Sequence, residues 1–319
     1  MKLPSATDSD DSLGLRAAWL HYVGGLTQAE VAKRLGLPSV KTHRLIARVV
    51  AEGAVKVTID GDIIACVELE TRLCERYGLN FCRVAPDLAE EGLPLRALGM
   101  AGADYLRRVL TNDPDITIGL GHGRTLSAAI HQLPRMDTPR VRFVSLLGCL
   151  TRNYALNPHD VMHRIAEKTG ARAYMMPVPF FANTVEDREV LLAQRGVSEV
   201  FEMAVQSSLK LVGIGTVEPA AQLVEAGMIE AQEINDISAS GASGELLGHF
   251  FDARGQRIEN RLTARTTAIS LDDRRQDNIV ALVGGRGKIA ALRAVLASGL
   301  LNGLITDELT AQTLLSEPP

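Results

Sequence analysis

The sequence predicts an α/β protein in two parts, an N-terminal winged helix-turn-helix followed by a doubly wound, largely parallel sheet. Three observations carry this reading. Short helical patterns with sharp punctuation succeed one another over residues 12–60, apolar strand-like runs alternate with helical patterns from about Glu70 onward, and the charge is unevenly divided. At 319 residues the chain exceeds the usual domain length of roughly 100–200. A hydrophobic share of 46% and a charged share of 23% exclude disorder and a coiled coil throughout. The net charge of −4 hides an asymmetry: residues 1–59 hold eight Lys and Arg against five acids, so the rest carries −7. The asymmetry predicts a small basic module at 12–60, expected to bind DNA, attached to a larger acidic one at 61–319.

The first helix is capped at Asp11 or Ser12, presents Leu15, Ala18, Trp19 and Tyr22 at helical spacing, and ends at Gly24-Gly25. Thr27-Gln28-Ala29-Glu30 is a capping box that opens the second helix, with Val31, Ala32 and Leu35 as its inner face. Gly36 stops that helix, and a third begins near Ser39 and runs to about Glu52. So short a turn forces a steep crossing, which is the helix-turn-helix arrangement. Leu45, Ile46 and Val49 face inward, leaving Ser39, Val40, Lys41, His43, Arg44 and Arg48 for DNA. Arg44 and Lys41 are expected on bases, Arg48 on phosphate, and Val40 on a thymine methyl. Residues 54–59 alternate like a strand, a wing that brings Lys56 near the DNA backbone.

In the second module, strands are expected at Asp115–Gly119, Val141–Leu147, Ala171–Met175, Leu209–Ile214, Thr266–Ser270, Ile279–Val283 and Gly303–Ile305. Helical patterns separate them. Ligands of such sheets bind beyond the strands' C-terminal ends. Four glycine-rich exits lie there: Ile118–Thr125 with Gly121 and Gly123, Leu147–Asn153 with Gly148, Val212–Thr216 with Gly215, and Val283–Lys288. Backbone N–H groups at a following helix start favour an anion, and a Lys in a helix's first turn opposes the dipole unless an anion answers it. None of the four matches a nucleotide-binding fingerprint, and no cofactor is expected. The four cysteines form no C-x-x-C pair, and the histidines have no metal-like spacing, so neither a disulfide framework nor a metal site is indicated. No membrane span or signal-peptide core is read, and a cytoplasmic protein is expected.

These motifs together resemble the SorC-type sugar-sensing transcriptional regulators. The resemblance rests on Gln28–Gly36 with Arg44-Leu45, on Gly121-His122-Gly123-Arg124-Thr125, on Gly244–Asp252, and on Gly284–Lys288 before Leu304–Glu308. The leader Ser9–Leu13 and the segment Asn157–Arg164 narrow it to regulators of polyol catabolism. The resemblance implies a sugar-phosphate isomerase/deaminase-type fold used as a sensor, in a homodimer or homotetramer that leaves operator DNA when a sugar, polyol or sugar phosphate binds. By motif position it implies Gly123, Arg124 and Thr125 at the phosphate or terminal hydroxyl, Lys288 as a second charged contact, and Glu245 and Asn153 on hydroxyls. Pro38, Thr42 and His43 depart from the family pattern in the reading head, as do Arg124 and Glu245 in the sensor. Two other readings are a working isomerase or deaminase, with Asp252, Asp307 or Glu308 as base, and a DNA-binding protein whose second domain only oligomerises.

Overall fold

The structure, a computed structural model, describes residues 10–52, 54–55, 63–151, 161–271 and 278–316. The chain divides into two compact units, Met1–Gly61 and Asp62–Pro319.

The first unit contains α1 (Asp10–Tyr22), α2 (Gln28–Leu35) and α3 (Ser39–Ala51). The capping box at Thr27 is formed in full: the Thr27 N–H donates to the Glu30 carboxylate at 2.8 Å, and the Glu30 N–H donates to the Thr27 hydroxyl at 3.3 Å. Gly36 ends α2 with φ of 66°, where a residue with a Cβ would be strained. Ala17, Val31, Leu35 and Ile46 close a small core. The apolar residues that recur along α1 divide between core and surface. Leu15, Trp19 and Tyr22 are 52%, 61% and 44% exposed, because α1 packs through its small residues Gly14, Ala17 and Ala18 instead. A Cβ on Gly14 would stand 2.6 Å from a Val49 methyl, so α1 approaches α3 too closely for a large side chain to intervene.

The second unit begins with α4 (Ile64–Tyr77), β1 (Phe81–Ala85), α5 (Leu95–Asn112), β2 (Thr117–Leu120), α6 (Arg124–Gln132) and β3 (Arg142–Leu150). It continues through α7 (Met162–Thr169), β4 (Arg172–Pro179), α8 (Val185–Leu192), α9 (Arg195–Val205), β5 (Leu209–Val212), α10 (Gln222–Glu225) and α11 (Ala231–Ala239). Then follow β6 (Ala242–Leu246), β7 (His249–Asp252), β8 (Arg257–Ile258), β9 (Ile279–Leu282), α12 (Ile289–Ala297), β10 (Gly303–Asp307) and α13 (Glu308–Ser316). Among the described residues, seven strands form one sheet in the order β1-β10-β9-β5-β2-β3-β4, every pairing parallel. Its inner strands β2, β5, β9 and β10 are buried on both faces. In β2, Ile118 and Leu120 join the core that α5, α6 and α7 cover; in β9, Ile279 and Ala281 join the opposite one while Val280 and Leu282 join the first.

The expected strand at Thr266–Ser270 is not a member of that sheet. Thr266 makes one isolated bridge to Phe181, and the following residues donate to Phe180 and Leu146 as single contacts. Instead, β6, β7 and β8 form a separate antiparallel sheet. A two-residue turn at Leu247-Gly248 joins its first two strands, with φ of 50° and 75°. Positive φ at both positions is the hairpin-compatible geometry, and it strains a leucine.

Thr27→Ala should cost the first unit about 1 kcal/mol through loss of the cap. Urea unfolding followed by the fluorescence of Trp19, the chain's one tryptophan, reads this unit selectively, and its midpoint should fall.

Candidate functional site

Strand order reverses around β2 and β5: from β2 the chain moves outward to β3 and β4, then returns to the other side of β2 at β5 and proceeds through β9. Loops leaving β2, β5 and β9 therefore diverge above the sheet and open a crevice. Residues 122–125, 213–216 and 282–284 with Lys288 line a cleft of about 650 Å³ including its open mouth, with Leu93, Gln222, Leu223, Glu245 and Leu247 completing it.

Gly123, the N-cap of α6 with φ of 125°, has no side chain to cap the helix, so the positive end of the helix dipole adjoins the cleft that residues 123–125 line. The Thr125 hydroxyl donates to Leu282 O at 2.8 Å, pinning this turn to the end of β9. Half-buried Arg124 stands at the first helical position. Lys288 donates from Nζ to Ile214 O at 2.8 Å, joining the β9 exit to the β5 exit. Burial lowers the pKa of Lys288, Glu245 opposes that fall, and Arg124 adds to it. Two cations and an open helix N-terminus on one crevice form a surface that favours an anion.

Glu245 is the counter-charge. Its carboxylate accepts from the Gly248 N–H at 2.6 Å, and its own backbone pairs in both directions with Gly215, at 2.9 and 3.0 Å. A Cβ on Gly215 would collide with that carboxylate, so the glycine is required by close approach. Burial pushes the Glu245 carboxyl up to about 6, against the opposing pull of Gly248, Lys288 and Gly215.

The loop Val283–Lys288 is held from behind. The Gly285 N–H donates to Asp307 at 3.0 Å and to Thr310 at 2.8 Å, while Asp307 accepts from the Thr310 N–H and hydroxyl. Asp252 and Glu308 likewise accept from backbone N–H groups of nearby turns. All three carboxylates that could have served as a catalytic base are thus hydrogen-bonded to backbone.

The expected site residues divide as follows. Gly123, Arg124, Thr125, Gly215, Glu245 and Lys288 converge on the cleft. Gly121 does not line it; its N–H donates to Leu211 O, and it packs near Leu247 and Leu126. Gly148 departs from the expectation: β3 runs on to Leu150, so this glycine lies within the strand against Thr267 and the carbonyls of Val178 and Pro179. Asn153 and Lys56, with most of the expected wing, lie outside the described residues. His122, Gln222 and Leu247 were not singled out as site residues. A polar residue beside a glycine exit is the only signal for the first, and the other two depend on tertiary approach. Among the described residues no three His, Cys, Asp or Glu side chains group as metal ligands, and no helix is long and apolar enough to cross a membrane.

On α3, Ser39, Val40, His43 and Arg44 form an exposed face, with Val40 82% exposed. Lys41 and Arg48 lie one face over and are met by α1: Asp10 stands 3.1 Å from Lys41 and Asp11 2.7 Å from Arg48. The Lys41 ammonium holds the Asp10 carboxyl below its ordinary range. Such exposed pairs are weak. Gln28 is exposed at the start of α2.

Residues 61–316 match the model of the Sugar-bind family, a sugar-binding domain. The chain is 64% identical over 311 residues, 98% of either protein, to the erythritol catabolism regulatory protein EryD of Brucella abortus (strain 2308). The chain belongs to the SorC-type family of sugar-binding transcriptional regulators. It is also 32% identical over 314 residues to the transcriptional regulator LsrR of Enterobacter sp. (strain 638), covering 97% of this chain and 94% of that one. The full-length sorbitol operon regulator SorC from Klebsiella pneumoniae shares its fold, with a TM-score of 0.72 at 24% identity over 97% of this chain and 100% of that one. As a member of this family the chain is a sugar-responsive regulator and not an enzyme.

The Glu245 shift has a signed consequence. Its carboxyl is raised in the fold from an ordinary value near 4.5 to about 6. The folded state therefore favours the protonated form, and a cost of about 2 kcal/mol develops as pH rises from roughly 4.5 to 6 and persists above. Urea denaturation of the effector-free chain should show Glu245→Gln losing less stability than the wild type between pH 4.5 and 7.5.

Proposed function

We propose that this regulator governs an operon for erythritol or a closely related polyol, and that it leaves operator DNA when a small polyol or its phosphate enters the cleft between the β2, β5 and β9 exits. One observation carries the reading: an uncapped helix N-terminus, Arg124, Lys288 and buried Glu245 converge on one crevice in a chain that also carries a helix-turn-helix. The anion-favouring side suits a phosphate or terminal hydroxyl, and Glu245 suits an acceptor for hydroxyl donors. In the first unit, Ser39, Val40, His43 and Arg44 address base edges, with Gln28 at the start of α2. Lys41 and Arg48 address phosphates after exchanging their carboxylate partners, with Lys56 as a further backbone contact. Asn153 is assigned to the effector. Gly215 belongs to the site by letting the Glu245 carboxylate approach, whereas Gly121 and Gly148 are left out of it.

The protein is assigned to the cytoplasm and to a homodimer or homotetramer, since paired reading heads address half-sites set by two-fold symmetry. An effector shifts such an equilibrium only by binding the DNA-incompetent state more tightly than the competent one. The 64% identity to EryD supports erythritol as the first compound to try.

Operator affinity is to be measured on DNA upstream of the chain's own operon, with and without erythritol and erythritol 4-phosphate. At least one should weaken binding; if neither does, the reading fails for these compounds. Arg44→Ala should weaken operator binding by about 1–3 kcal/mol while ligand-induced thermal stabilisation survives. Arg124→Ala should keep operator binding and lose the response to ligand.

A further inference from the structure

Gln222 opens α10 and lines the cleft beside the α6 N-terminus. A Cβ on Gly123 would come 3.8 Å from its carboxamide oxygen, which places the amide over the glycine that leads into the anion-favouring turn. Its direction is set by its neighbours in sequence: Ala221 and Leu223 are 1% and 3% exposed and anchor the short helix in the core. Gln222 Nε2 is shielded from solvent, yet among the described residues no group accepts a hydrogen bond from it. Buried side-chain donors are nearly always satisfied, and an orphan at a cleft wall points to a partner that comes with the ligand. Its surroundings say what kind of acceptor that is. Arg124 and Lys288 contribute two positive charges to the same cleft, and the α6 dipole adds a positive end.

We propose that Gln222 is a specificity-determining residue of the effector site, its carboxamide N–H donating to a phosphoryl oxygen held at the α6 N-terminus. The assignment rests on the effector reading of the cleft. A primary amide suits this task because it can give hydrogen bonds without adding a third cation, so it discriminates by geometry where Arg124 and Lys288 discriminate by charge. It also predicts an unusual pairing of effects. Removing an unsatisfied buried donor relieves the effector-free protein, whereas removing a packing residue would weaken it.

The test is isothermal titration of the full chain with erythritol 4-phosphate, erythritol and inorganic phosphate, together with thermal melting without ligand. Gln222→Leu should bind erythritol 4-phosphate about 10- to 100-fold more weakly, with a ligand-free midpoint that holds or rises. Gln222→Glu, which sets a carboxylate against the phosphoryl group, should weaken erythritol 4-phosphate further and change erythritol binding by less. Retention of affinity within twofold in Gln222→Leu overturns the proposal, as does a lowered midpoint accompanying weaker binding, which makes Gln222 a packing residue. Loss of binding in Arg124→Ala alone, with Gln222→Leu unaffected, sinks the role of Gln222 and leaves the cleft reading standing. If the wild type binds none of the three probes, the cleft reading falls and takes this proposal with it.

Discussion

A buried carboxylate holds the cleft together. Glu245 sits out of water on β6, where its ionised form is costly, and the neighbouring structure is arranged around accommodating it. Gly215 gives up a side chain to let it approach, Gly248 donates to it from the far side of a strained Leu247-Gly248 turn, and Lys288 supplies the opposite charge. Lys288 in turn reaches the Ile214 carbonyl, so the loop after β9 is tied to the loop after β5. The small antiparallel sheet is thereby attached to the switch point of the large parallel one through a polar contact, with apolar packing on either side. Deleting one member of such a set leaves the others desolvated and unanswered.

The charge division of the chain follows the same logic at larger scale. In the first unit, α3 carries three cations, of which Arg44 is exposed while Lys41 and Arg48 pair with Asp10 and Asp11. In the cleft of the second, cations stand where a small anion would meet them, buried enough that solvent screens them little. The net −4 of the whole describes neither.

Much of this was legible from residue order. The capping box at Thr27, the stop at Gly36 and the inward faces of α2 and α3 are local, governed by groups three or four residues apart, and they stand as read. The parallel sheet was legible because apolar runs alternate with helical patterns at regular distance. Three of the four glycine exits meet, while Gly148 does not, because only register with β4 reveals that β3 continues past it. Leu15, Trp19 and Tyr22 misled because helical spacing shows that residues share a face without showing which face is buried; the small residues Gly14 and Ala17 decide it. The β6–β7 hairpin was missed because Leu-Gly is an unfavourable pair for its turn. The Gly248 N–H bond to the Glu245 carboxylate holds that turn, and Gln222 enters the cleft through tertiary approach that no local pattern announces.

An effector seated at the β2, β5 and β9 exits should shield the backbone of those loops. Amide hydrogen exchange of the full chain, compared with and without saturating erythritol 4-phosphate, tests it most directly. The structure predicts slowed exchange concentrated at residues 122–125, 213–216 and 284–288, with a lesser effect at the Leu247-Gly248 turn. Protection confined to any other part of the second unit would contradict it.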